Sequence, residues 1–250
     1  QMCIRDTQYC LDGYFFDGNY RRLGVVDAIM YPATDAFMRL DYPSHLPAAV
    51  QEQAERIAIR FMKAIGFNHG LFNMEFMHDE RTGQIKVIEL NPRLASQFSD
   101  LYARVDGLNP HAMALALSHG IDPATIATQA PTANCASSFA YRSFDRAAAV
   151  PNPAASGLRA FWKTFPDAVL FQYPKLPGQI QRDFKWLGSH RYGIVHLGGS
   201  DPGDLRQRCE LASALLGWPA PYVDDIASLP GLSDVSDAWL LDTAAESAPG

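Results

Sequence analysis

Residues 9–16 and 20–30 are rich in Tyr, Phe, Val and Ile, with Asp17-Gly18-Asn19 between them. Those three tolerate positive φ, so the pattern predicts a β-hairpin. The period then changes. Val50, Ala54, Ile57, Ala58, Phe61, Met62 and Ile65 recur at intervals of three and four. This predicts an amphipathic helix over 47–65, opened by Pro47 and stopped by Gly66. Strand signals return at 71–77 and 84–90 around a polar turn at Asp79–Gly83, a second hairpin. Asn109-Pro110 supplies a cap and a first helical residue for a helix that ends at Gly120. Residues 121–135 shift to Ala, Thr and Pro, the texture of a subdomain boundary. Beyond them, Ala168–Tyr173 and Tyr192–Leu197 read as short strands, and Gly198-Gly199 as a turn. Leu205, Cys209, Ala212, Leu215 and Leu216 mark a last helix that ends at Gly217. Hairpins and helices alternate irregularly, which predicts an α+β class rather than a doubly wound parallel sheet.

Composition narrows the function classes. Hydrophobic residues make up 48% of the 250 and charged ones 19%, enough to bury a core. No apolar run reaches the length of a membrane span and no signal peptide opens the chain. The cysteines Cys3, Cys10, Cys135 and Cys209 form neither a disulfide framework nor a CxxC pattern, so a cytoplasmic setting is expected. The net charge of −6 resides in residues 224–250, which hold six acidic residues and no Lys or Arg. The body is balanced and shows no basic stripe, which argues against a nucleic-acid partner. The acidic tail, 223–250, reads as mostly disordered.

The second hairpin carries the chemistry. Along its first strand Asn73, Glu75 and Met77 share one face, and Phe72, Met74 and Phe76 the other. Along its second, strict alternation puts Ile85, Val87 and Glu89 on one face. A turn centred near Thr82 sets Glu75 opposite Glu89, with Cβ atoms roughly 4.5–5.5 Å apart. Two carboxylates so placed repel and require a cation or a shared proton. Hard oxygen ligands at that spacing suit Mg²⁺. Asn91 can add an amide oxygen, and Arg93, beyond Pro92, a guanidinium that clamps phosphate or carboxylate. Either Glu alone reads as a solvated strand residue; the four together do not.

The runs Phe72-Asn73-Met74-Glu75-Phe76 and Val87-Ile88-Glu89-Leu90-Asn91-Pro92-Arg93 resemble the signature of the ATP-grasp superfamily. The likeness is to its carboxylate–amine ligase branch, related to carbamoyl-phosphate synthetase and biotin carboxylase. Asp41-Tyr42-Pro43-Ser44, Gly66-Phe67 and Asp106-Gly107-Leu108-Asn109 also look like that branch. The resemblance covers about residues 8–120 and continues more weakly to about 217. It implies that Glu75, Glu89 and Asn91 coordinate Mg²⁺ (or Mn²⁺) bridging ATP phosphates, with Arg93 on phosphate or an acyl-phosphate. ATP is then the cofactor, and a small-molecule carboxylate and amine are the partners. A phosphotransferase on the same fold and a non-catalytic binding module are the alternative readings.

The expected organisation is an ATP-grasp C-terminal lobe over 7–135, a small α+β domain over 136–222 and the acidic tail. Gln1-Met2-Cys3-Ile4-Arg5-Asp6 back-translates to CAG ATG TGT ATA AGA GAC, which looks like a sequencing adapter read in frame. Residues 1–6 are therefore set aside, and a segment carrying the rest of the nucleotide pocket is expected upstream. Among other candidates, Arg39 is within sequence reach of a phosphate role, and Ser96 and Gln97 of an acceptor site. The seven histidines show no metal-ligand spacing and read as structural.

Overall fold

A computed structural model describes residues 6–146 and 152–223. The adapter-like residues 1–5 and nearly all of the acidic tail lie outside the described residues. The strands are β1 (Asp6–Phe16), β2 (Asn19–Met30), β3 (Phe37–Tyr42), β4 (Gly70–Asp79), β5 (Gln84–Asn91), β6 (Cys135–Ser143), β7 (Val169–Gln172) and β8 (His190–Gly199). The helices are α1 (Ala48–Ala64), α2 (Ser99–Asp106), α3 (Pro110–Ser118), α4 (Ala155–Thr164), α5 (Pro177–Leu187) and α6 (Pro202–Leu216). The class is α+β, and hydrogen bonding orders the strands β5-β4-β1-β2-β3-β6-β8-β7. The pairs β1–β2, β1–β4 and β4–β5 are antiparallel.

Two compact units emerge from the contacts. The first comprises the chain up to Ile29, Arg39–Ser138 and His196–Arg208; the second comprises Met30–Met38, Phe139–Val195 and the chain from Cys209.

In the first unit one sheet face is closed by α1. Tyr9, Leu11 and Phe15 from β1, Val25 from β2 and Phe72, Met74 and Phe76 from β4 pack on Ala54, Ala58 and Met62. Small residues one turn apart bring the helix axis close to the strands, so Met62 and the aromatic rings fill the remaining depth. The expected apolar stripe is wider than the buried one: Phe61 and Ile65 end up exposed. Asp17 and Gly18 both take positive φ, the two-residue turn that suits the right-handed twist of β1 and β2. Asn109 caps α3, its side chain accepting from the Ala112 N–H at 3.0 Å.

Gly198-Gly199 corrects one expectation, because both residues belong to β8 rather than to a turn. A Cβ on Gly198 would stand 2.7 Å from Ala133 Cβ, and one on Gly199 3.0 Å from Leu205, so close packing explains both glycines.

In the second unit Tyr141 on β6 and Tyr192 on β8 pack against Trp218, whose ring centre lies 4.8 Å from that of Tyr141. Phe161 and Phe165 are also buried, their ring centres 5.7 Å apart. Trp162 is exposed, its ring meeting that of Phe161 edge-on at 5.1 Å. Among the described residues, no helix is long and apolar enough to cross a membrane.

Candidate functional site

Four strands of the first unit present the candidate residues in rows on the sheet face opposite α1. One row runs Val26, Cys10, Glu75, Glu89 across β2, β1, β4 and β5; the next runs Gly24, Asp12, Asn73, Asn91. Glu75 and Glu89 are direct register partners, as the sequence predicts. The route to that pairing is different. Nearer the turn the partners are Phe76–Val87, Met77–Lys86 and His78–Ile85, and the register shifts between Glu75 and Phe76. Ile88 is thus the extra residue of a β-bulge. This corrects the strict alternation. Val87 pairs with core-facing Phe76, Ile85 and Leu90 pack against the core, and Glu89 faces the opposite side. The bulge lets both an apolar face near the turn and an acidic one near the strand end line up with β4.

The electrostatics follow from that geometry. Burial, then the Glu89 charge, raises the Glu75 carboxyl above its ordinary range, and a bond from Gln8 opposes the rise. Gln8 Nε2 donates to Glu75 Oε2 at 3.1 Å. Glu89 is exposed on the edge strand. At the strand end the Arg93 guanidinium donates to Asn91 Oδ1 at 3.2 Å, and its backbone N–H to the Asn91 carbonyl at 2.8 Å. Arg93 therefore folds back on Asn91 at the strand end.

Sequence reasoning missed Asp12. It is 2% exposed, accepting from Asn73 Nδ2 at 2.6 Å and from the Tyr102 hydroxyl at 3.0 Å. Burial pushes its carboxyl up to about 7, against the two donors and the Arg93 charge. Gly24, its partner on β2, leaves room for Tyr102 and Tyr42: a Cβ there would stand 2.6 Å from each ring. Tyr42 in turn donates to Asp106, and the two tyrosine rings meet edge-on at 4.8 Å. The only sequence signal was Asp12 amid apolar residues in a predicted strand.

Other candidates are otherwise engaged. Arg39 is paired with Asp41, Nε to Oδ2 at 2.9 Å, and Asp41 also accepts from Ser137. Gln97 donates to Ser138 Oγ at 2.9 Å. A cleft of about 330 Å³, lined by residues including Arg22, Gly24, Tyr42, Gln51 and Asp106, does not include the two glutamates. Glu75 is half-buried and Glu89 exposed at the sheet edge.

Among the described residues no three His, Cys, Asp or Glu side chains gather as a metal group. An ion at this face would draw on two carboxylates, the Asn91 amide and oxygens of a bound ligand. That all-oxygen set, with Glu75 raised partly by an uncompensated neighbour, fits Mg²⁺ or Mn²⁺ and not a thiolate- or imidazole-preferring metal.

No protein-family profile and no curated protein matches the chain. Solved structures resemble it in fold. L-amino acid ligase from Bacillus licheniformis superposes with a TM-score of 0.63 at 14% identity, over 83% of this chain and 52% of that one. N5-carboxyaminoimidazole ribonucleotide synthetase from Thermus thermophilus gives 0.57 at 16%, over 88% and 52%. A biotin carboxylase complex with β,γ-ATP from Campylobacter jejuni gives 0.56 at 15%, over 86% and 46%. The chain spans about half the length of these structures. Over the portion shared it has the fold of these structures, as the ATP-grasp resemblance implies.

Proposed function

We propose that this chain is the metal-binding portion of a cytoplasmic, ATP- and Mg²⁺-dependent ligase that joins a small-molecule carboxylate to an amine. The observation that carries the reading is the direct opposition of Glu75 and Glu89, with Asn91 and Arg93 at the same strand end. A fold shared with ligases and a carboxylase bound to a nucleotide analogue supports it.

In this reading Glu75, Glu89 and Asn91 would hold Mg²⁺, which would supply neutralisation of phosphate charge. Arg93 supplies a fixed cation beside it, for phosphate or for the activated carboxylate. A carboxylate oxygen of the substrate attacks the γ-phosphorus, the bond to ADP breaks, and ADP leaves. The amine nitrogen then attacks the acyl carbon, the carbon–oxygen bond to phosphate breaks, and the amine gives up a proton. Positioning and charge neutralisation do most of this work, so no covalent nucleophile on the protein is required.

The chain spans about half the length of the related structures, so the activity is proposed for the parent enzyme as a whole. ADP release by the parent enzyme, assayed with paired carboxylates and amines, tests the activity. Release dependent on both substrates is expected; ADP formed with phosphate transferred stably to one acceptor would overturn the ligase reading.

A further inference from the structure

Asn73 Nδ2 lies 2.6 Å from Asp12 Oδ1. Asp12 accepts in this contact, which sets which end of the Asn73 amide faces β1. The amide is planar, with oxygen and nitrogen at opposite ends. Committing the nitrogen to Asp12 turns the oxygen away from β1, towards the side on which Asn91 is the direct register partner. Tyr102 donates to the second Asp12 oxygen, which leaves the carboxylate little freedom to release Asn73. Asn73 is 3% exposed, at the floor of the face.

A buried carboxylate is a costly way to satisfy one amide, since burial disfavours its charged form. Its distinctive effect is orientation: a neutral acceptor–donor group at position 12 would let the amide sit either way round. We infer that Asn73 is a further site residue whose side-chain oxygen serves the same hard cation as Glu75, Glu89 and Asn91, and that Asp12 is the positioning residue that holds it so. The inference rests on the metal-site reading above and deepens it. The assigned oxygens become two carboxylates and two amides in adjacent rows. This arrangement places neutral donors on the Asp12 side, where a further charge would meet Asp12.

The test uses the full 250-residue chain and Mn²⁺ alone, followed by the loss of the free-ion electron paramagnetic resonance signal. Wild-type chain is expected to bind in the millimolar range, as a half-built site should. Asp12→Asn offers an amide to Asn73 and frees it to flip. It is expected to weaken Mn²⁺ about tenfold or more, in the range of lost supporting contacts at metal sites. Asn73→Ala should do the same, and the double variant should be no weaker than about twofold below either, since the two act as one unit. Tyr102→Phe removes the other bond to Asp12 but keeps the Asn73 contact, so it should weaken Mn²⁺ less than Asp12→Asn does while lowering the melting temperature. Affinity within about twofold of wild type in both Asp12→Asn and Asn73→Ala overturns the inference while leaving the glutamate site standing. A wild-type chain that binds no Mn²⁺ overturns the underlying reading as well. Should Asp12→Asn fail to fold, Asn73→Ala decides alone, because it deletes the oxygen and leaves Asp12 bonded to Tyr102.

Discussion

Glu75 and Glu89 face each other across β4 and β5 because Ile88 is left out of the ladder. The pairing puts like charges at the distance where cross-strand contacts are strongest. Gln8 reaches Glu75, and Arg93 reaches back only as far as Asn91. The repulsion is therefore a property of the face itself, and a cation would relieve it.

Glu89→Gln should follow from this relationship in two directions at once. Apo stability should hold or rise by a few tenths of a kcal/mol, because one of two opposed charges is removed. Mg·ATP-dependent turnover of the parent enzyme should be abolished. Melting temperature without metal and ADP release with it are the two measurements. A variant that turns over normally would remove Glu89 from the ligand set.

How much of this was legible in the sequence depends on the kind of signal each element left. The two hairpins and α1 announced themselves through turn residues and period, and the glutamate pair followed from counting across the turn. The count reached the right pair although the alternation it assumed breaks at Ile88, since a bulge leaves no signature in a run such as Lys86-Val87-Ile88-Glu89. β3 alternates buried Met38, Leu40 and Tyr42 with partly exposed residues, but its sequence reads first as a motif rather than as a strand. β6 was hidden because Ser137 and Ser138 are fully buried through partners elsewhere in the chain, which no local pattern reveals. α2 was missed for its shortness, yet it brings Tyr102 onto Asp12. Asp12 could not be assigned from sequence because its partners come from residues 61 and 90 positions away.

Asp12 should leave a mark on stability against pH. Its folded carboxyl is pushed up to about 7 from an ordinary value of 3.8, chiefly by burial. Between those values the folded state binds more protons than the unfolded one, so stability falls as pH rises through this window. Glu75, also raised, adds in the same direction. Asp12→Asn should flatten the profile, removing a pH-dependent loss on the order of 2–4 kcal/mol. Denaturant unfolding of both proteins at pH 4.5 and 7.5 checks it. Parallel profiles would mean that Asp12 stays ionised throughout.

Gly24 should tolerate no side chain. A Cβ would stand 2.6 Å from ring carbons of both Tyr42 and Tyr102, which are held by Asp106 and Asp12. Gly24→Ala should cost about 1–3 kcal/mol through overpacking. If Tyr102 retreats to make room, its bond to Asp12 goes first. Chemical denaturation measures the cost. A neutral substitution would show that the two rings can separate without loss.

The chain by itself should neither turn over ATP nor bind it tightly. Mg²⁺ held by one or two carboxylates takes much of its coordination from water and substrate phosphates, so the metal cannot anchor the nucleotide unaided. Tight binding also needs an adenine slot and several cations around the phosphates. On the carboxylate face the structure offers Arg93, while Arg39 is paired with Asp41. Glu89 is exposed at the sheet edge, so water would screen the charge contacts that a triphosphate makes there. Calorimetric titration with ATP and Mg²⁺ should therefore give a dissociation constant no tighter than about a millimolar, roughly −4 kcal/mol. ADP release should stay at background with any amine. Micromolar binding, or amine-dependent release, would mean that the nucleotide pocket is complete within these residues. The division of the site between this chain and an upstream lobe would then be wrong.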